Sequence, residues 1–182
     1  MYVPHFGAAL AIHSRASRAP LWAFLVGAFL PDLAWIVLAR IGVEPADSVK
    51  FFDDWSHSLL STIVLATVFA LFFRSRGRQA MAGIWLVVFS HFLLDFPVHP
   101  KLIAAYPLAK IHLGWNSWNA WGSRHGWLAM DNDWWLQLLV LLVFLAVYVV
   151  GMRRFLPARL ITASCVFLIG LQMLTLAPCV GY

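Results

Sequence analysis

Five apolar runs dominate the chain, at about Ala19–Ile41, His57–Phe73, Gln79–Val98, Trp134–Gly151 and Pro157–Val180. Each approaches or reaches the roughly 20 residues that a helix needs to cross the hydrocarbon core of a bilayer. A sixth stretch, Val3–Ile12, is too short to cross unaided and reads as a half-helix or re-entrant piece. Hydrophobic residues make up 62% of the 182 residues and charged ones 12%. Soluble domains average roughly 45–50% and about 25%. A soluble fold of this size could not bury so much apolar surface, so a cytosolic globular enzyme and a disordered chain are both excluded. The expectation is an all-α, polytopic helical membrane protein: about five transmembrane helices plus the N-terminal half-helix, in one integral membrane domain over residues 1–182.

A net charge of +5 might suggest nucleic acid. The basic residues instead sit in short clusters between apolar runs, which is a pattern of membrane orientation. Arg15 and Arg18 precede the first run, Arg74, Arg76 and Arg78 follow the second, and Arg153, Arg154 and Arg159 flank the turn between the last two. By the positive-inside rule these loops are cytoplasmic. The stretch carrying Glu44, Asp47, Asp53 and Asp54, and the long loop Lys101–Asp133, then fall outside a cell (inner) membrane. The N-terminus lacks the basic n-region and cleavage site of a removable signal peptide. Cys165 and Cys179 share the last run about 21 Å apart along a helix, too far for a disulfide unless the helix breaks. Trp115, Trp118, Trp121 and Trp127 in the outer loop, with Trp134 and Trp135, read first as an interfacial aromatic belt and second as a substrate-binding cap.

Ionisable groups inside apolar runs are costly and point to function. Asp32 follows Pro31 in the middle of the first run. Proline cannot donate to Gly27, so a kink and a freed carbonyl are expected there, with Asp32 as a possible cap of the continuing helix. In FSHFLLDFPVHP, His91, Asp95 and His99 are spaced i, i+4, i+8 along one helical face. Imidazole and carboxylate are the usual nitrogen and oxygen donors for zinc, while a His–Asp pair joining two helices is the plain structural alternative. His57 opens the second run, where Asp53, Asp54 and Ser56 are natural caps. Counted from the cytoplasmic side at 1.5 Å per residue, Asp32 and His91 rise about 18–20 Å, Asp95 about 24 Å and His5 about 15 Å. His57 and His99 begin near the outer edge. Six candidate ligands from four segments, His5, Asp32, His57, His91, Asp95 and His99, therefore share the outer half of the membrane. One divalent metal centre, zinc above all, or two close ions would account for them, six donors exceeding the three or four protein ligands typical of one zinc. His13, by the basic turn, reads as solvated or lipid-facing; His112 and His125 read as surface residues of the outer loop.

With those residues assembled, the chain resembles the predicted membrane-bound metal-dependent hydrolases of bacteria and archaea. The landmarks are His5, the stretch GAFLPD from Gly27 to Asp32, the His57–Ser58 pair in SHSLL, and SHFLLD with His91 and Asp95. They lie within residues 5–99; the last two runs match only in being apolar. Two positions depart from the family pattern. It usually carries a further acid after the Pro-Asp, where this chain has Leu33-Ala34-Trp35, and often a His-Arg pair upstream of the His-Ser, where this chain has Phe52-Asp53. A smaller ligand set, or substitution by Asp53 or Asp54, follows from that. The resemblance implies metal and hydrolysis, here of an ester or phosphoester in a lipid-borne or membrane-adjacent substrate. Asp54 and His99 are the candidate proton carriers, and no nucleic acid is involved. A metal or proton transporter using the same cluster ranks second, and a non-catalytic scaffold tied together by it ranks third.

Overall fold

A computed structural model of the chain describes residues 2–16, 18–44, 55–96, 103–105, 109–112 and 132–174. The apolar runs fold into helices: α1 Tyr2–His13, α2 Leu21–Ala28, α3 Leu30–Arg40, α4 Leu59–Leu71, α5 Arg78–Asp95, α6 Asn132–Met152 and α7 Ala158–Leu174. Two short strands, β1 Ile103–Ala105 and β2 Ala109–His112, pair antiparallel in the stretch expected to be plain loop, with β1 lying against α4. The first apolar run is not one helix. It breaks at Phe29, and α2 and α3 meet there at 53°. Pro31 sits in the opening turn of α3, where its missing N–H costs nothing, and Asp32 occupies that turn without capping it. Asp53 and Asp54 lie outside the described residues, and Ser56 is not the cap of α4. Ser58 is, its hydroxyl accepting from the Ser61 N–H at 3.2 Å.

Among the described residues one helix, over Trp135–Met152, is long and apolar enough to cross a membrane, and the bent pair α2–α3 makes a second if it counts as one span. Five spans do not follow from helix length. The segments α4 and α7 are apolar but only 13 and 17 residues long. At 18 residues, α5 is long enough but carries Arg78, Gln79, His91 and Asp95.

The short α1, at 12 residues the length of a half-helix, lies inside the bundle. Val3, Pro4, His5, Ala8, Ala9, Leu10 and Ala11 are all buried, and α1 packs against α2, α5, α6 and α7. A helix apolar on every side belongs in the interior of a structure. On one flank Ala9 joins Ala23, Phe24, Ala28, Ala66, Ala70, Ile84, Val87 and Val88; on the other, Val3 and Leu10 join Leu141, Leu145, Tyr148 and Leu168. The first of these clusters is built largely of alanine. Large apolar side chains point outward instead, with Val37, Val68, Leu139, Val143 and Phe167 each more than half exposed.

The helices run alternately up and down, which gathers the three arginine-bearing turns at one end. Gln79 Nε2 donates to the Arg15 carbonyl at 3.1 Å, and the Arg18 guanidinium lies beside Gly77. Gly151, two residues before Arg153, packs so closely on Ser14 that an added Cβ would sit 2.5 Å from its hydroxyl oxygen. By the same alternation the start of α1, the α2–α3 break, the start of α4 and the end of α5 meet at the other end.

Candidate metal centre

On α5 the i, i+4 spacing stacks His91 and Asp95 on the buried face, with His91 Nε2 3.1 Å from Asp95 Oδ2. The other ring nitrogen of His91, Nδ1, lies 2.8 Å from the carbonyl oxygen of Ala28, the last residue of α2. A carbonyl only accepts, so Nδ1 donates there and Nε2 is the nitrogen turned toward the two carboxylates. This outer hydrogen bond is the kind that fixes the tautomer and ring direction of a ligating histidine. The helix break supplies the acceptor, one residue beyond the Gly27 carbonyl expected from the position of Pro31. Gly27 makes the approach possible: a Cβ there would lie 2.8 Å from Val87 Cγ1 and 3.3 Å from Val88 Cγ2 on α5.

The remaining donors arrive from three other segments. Asp32 Oδ1 stands 3.9 Å from His91 Nε2 and 3.3 Å from His57 Nε2, while the Ser56 hydroxyl holds His57 Nδ1 at 2.8 Å. His5 comes from the first turns of α1; its ring lies over that of His91 with centroids 4.0 Å apart, and its Nε2 is 3.5 Å from Asp95 Oδ1. Two triads result, His5–His91–Asp95 and Asp32–His57–His91, each with its donor atoms within 4.8 Å of one another and with His91 common to both. His5, His57, His91 and Asp95 are buried, and only the Asp32 side chain, 17% exposed, opens outward.

The donor set fits a cation. Ligand atoms bonded at about 2.1 Å to a tetrahedral ion lie about 3.4 Å apart, and the four separations given above run from 3.1 to 3.9 Å. Two carboxylates and three imidazoles together supply the anionic oxygens and ring nitrogens that a divalent ion takes. A buried charge left without a partner is strongly destabilising.

Five of the six ligands expected from sequence are thus brought together. The sixth, His99, and the candidate proton carrier Asp54 lie outside the described residues, as do Trp115, Trp118, Trp121, Trp127 and His125. His13 is at the basic end, partly buried and edge-on to Phe24 with ring centroids 5.1 Å apart. For His112 the backbone belongs to β2. One residue escaped the sequence reading. Glu44 is 1% exposed, and its Oε1 accepts the Trp55 and Ser56 N–H groups at 2.7 and 3.0 Å. Burial pushes its carboxyl above the usual range, against the opposing pull of those hydrogen bonds and the nearby His57. An acid between two apolar runs looks solvated in sequence, and only the turn closing α3 turns it inward. No protein-family model, curated protein or solved structure matches this chain, so the site stands on its own geometry.

Proposed function

We propose that the chain is a membrane-embedded, metal-dependent hydrolase of the predicted membrane-bound family it resembles, cleaving an ester or phosphoester of a lipid-borne or membrane-adjacent substrate at the outer face. The observation that carries the proposal is the convergence of His5, Asp32, His57, His91 and Asp95 at the end of the bundle opposite the basic turns. Zinc is the ion that the nitrogen and oxygen donors suit best, as one ion or two.

The multispan reading of the fold draws support from what is inside and what is outside. Alanines dominate the contacts between α1, α2, α4 and α5, while many large apolar side chains face away, as in helices packed in lipid, where small residues let the backbones approach closely. The three basic turns at one end fit a cytoplasmic face. A labelling experiment tests the orientation, with single cysteines introduced in a chain lacking Cys165 and Cys179. Ser117→Cys is expected to react with an impermeant thiol reagent on intact cells and Arg76→Cys only after lysis. The opposite pattern would move the site to the cytoplasmic face.

The chain's own groups divide the work. The Ala28 carbonyl and the Ser56 hydroxyl orient His91 and His57, so that both Nε2 atoms face inward. His5 and Asp95 close the interior side against water, and Asp32 stands where a substrate approaches. Beside it on α3, the exposed Leu33, Ile36 and Val37 offer an apolar surface for the hydrocarbon part of an amphipathic substrate. A divalent ion held by His5, Asp32, His57, His91 and Asp95 would supply Lewis acidity and a nucleophile available at neutral pH. Asp54 and His99 are assigned the proton transfers to the leaving group. Transport is less well supported, because Ala23, Phe24, Ile84, Val87 and Val88, one to two turns below the donors, are fully buried and apolar. Among the described residues they form an apolar layer between the donors and the basic end.

The decisive assay incubates detergent-purified protein with mixed membrane lipids and follows the products by mass spectrometry. Cleavage is expected with zinc or a similar divalent ion, and is expected to stop with chelator or on Asp95→Ala. Metal flux into loaded vesicles without any cleavage, abolished by the same substitution, would establish transport instead.

A further inference from the structure

A second buried acid lies near the donor cluster without belonging to it. Gly42, at φ 77°, turns the chain after α3, and the N–H groups of Val43 and Glu44 both return to the Leu38 carbonyl, at 2.9 and 3.2 Å. The positive φ is one that glycine adopts at little cost. This closure points Glu44 into the protein, where Oε1 receives the backbone N–H groups of Trp55 and Ser56, while Oε2 has no hydrogen-bond partner among the described residues. Ser56 in turn holds His57 Nδ1, and His57 Nε2 reaches Asp32 in the first turn of α3. The two ends of α3 are therefore joined through one short stretch of backbone, with Glu44 gripping it at one end and Asp32 meeting its histidine at the other.

We propose that Glu44 is a positioning residue of the site, clamping the 55–56 backbone so that His57 Nε2 is held against Asp32. The proposal rests on the metal-centre reading given above. What the clamp uses is an oxygen that accepts two backbone donors. Glutamine retains such an oxygen and alanine does not. Charge at position 44 is not what sets His57 in place.

The test compares the full-length protein with Glu44→Gln, Glu44→Ala and His57→Ala, each purified in detergent, by titration with Co(II) and by amide hydrogen exchange. The Co(II) d–d spectrum reports the ligand set. Glu44→Ala is expected to bind Co(II) at least about 10-fold more weakly, the usual scale for losing an outer-shell partner, with a spectrum shifted toward that of His57→Ala. Glu44→Gln is expected to stay within about 3-fold of the parent, with the parent spectrum, a rescue that loss of general stability would not predict. The Trp55 and Ser56 amides are expected to lose protection in Glu44→Ala and keep it in Glu44→Gln. Parent-like Co(II) binding and protection in Glu44→Ala would overturn the proposal, and so would a glutamine variant as impaired as the alanine one. If the parent protein takes up no metal, the metal centre itself falls, while the exchange comparison still decides whether Glu44 clamps the backbone.

Discussion

Replacing His91 with alanine is expected to empty the metal centre altogether. His91 is the one residue common to both donor triads, and its Nε2 lies within 3.1 Å of Asp95 and 3.9 Å of Asp32. Its loss leaves His5 with Asp95 on one side and His57 with Asp32 on the other, two donors each where three or four protein ligands are needed. It also strips the Ala28 carbonyl of its partner. Loss of an outer-shell partner alone costs about 10–100-fold in metal affinity, so loss of this shared ligand is expected to exceed about 100-fold. His5→Ala and His57→Ala each spare one triad and are expected to fall between His91→Ala and the parent; if two ions are bound, each retains one. His13→Ala, at the opposite end beside Phe24, is expected to change nothing. Metal content by elemental mass spectrometry of the four purified variants decides the matter. Full content in His91→Ala would end the shared-ligand reading.

The second large effect is expected at Gly27, which makes no contact with any ion. Valine there forces Cβ into Val87 and Val88 and separates α2 from α5. Overpacking of this kind costs about 1–3 kcal/mol. Because Ala28 is the next residue, the same displacement pulls its carbonyl away from His91 Nδ1, so metal affinity is expected to drop at least about 10-fold along with stability. Gly170 in α7 provides the contrast, since a Cβ there meets nothing within 4 Å. Gly170→Ala is expected to gain up to about 1 kcal/mol of helix stability and to leave metal binding unchanged. Thermal unfolding in detergent and Co(II) titration of both variants read out the two effects. A Gly27→Val protein as stable as Gly170→Ala would show that the α2–α5 contact yields freely.

The apolar runs announced the helices because hydropathy is a property of every residue in a run, and the ends came within a few positions. The cluster was legible for another reason. His91 and Asp95 share a helical face by spacing alone, and counting rise from the arginine turns put Asp32 and His5 near the same level. Pro31 marked the α2–α3 break but not its acceptor, since a break redistributes several carbonyls and only the packing of α5 selects Ala28. Glu44 was not legible, because its burial depends on a turn at Gly42 and on backbone 11 residues further along the chain. The place of α1 was hidden as well. Its length argued for a half-helix or re-entrant piece, whereas the run of small residues Gly7, Ala8 and Ala9, with Ala11, lets neighbouring helices come close around it. The β1–β2 pair carries no strong alternation and left no mark in the pattern.

That central place of α1 bears on the order in which the protein is made. All the helices that enclose α1 follow it in the chain, and α6, its broadest neighbour, begins only at Asn132. During synthesis α1 emerges before any of them and must wait until the wall that covers it exists. His5 waits with it. The flank of α1 that faces α6 is thus covered last, although all five gathered donors, from His5 to Asp95, precede α6 in the chain. A slow or interrupted formation of α6 leaves behind a chain with every helix of the first half in place and one flank of α1 uncovered.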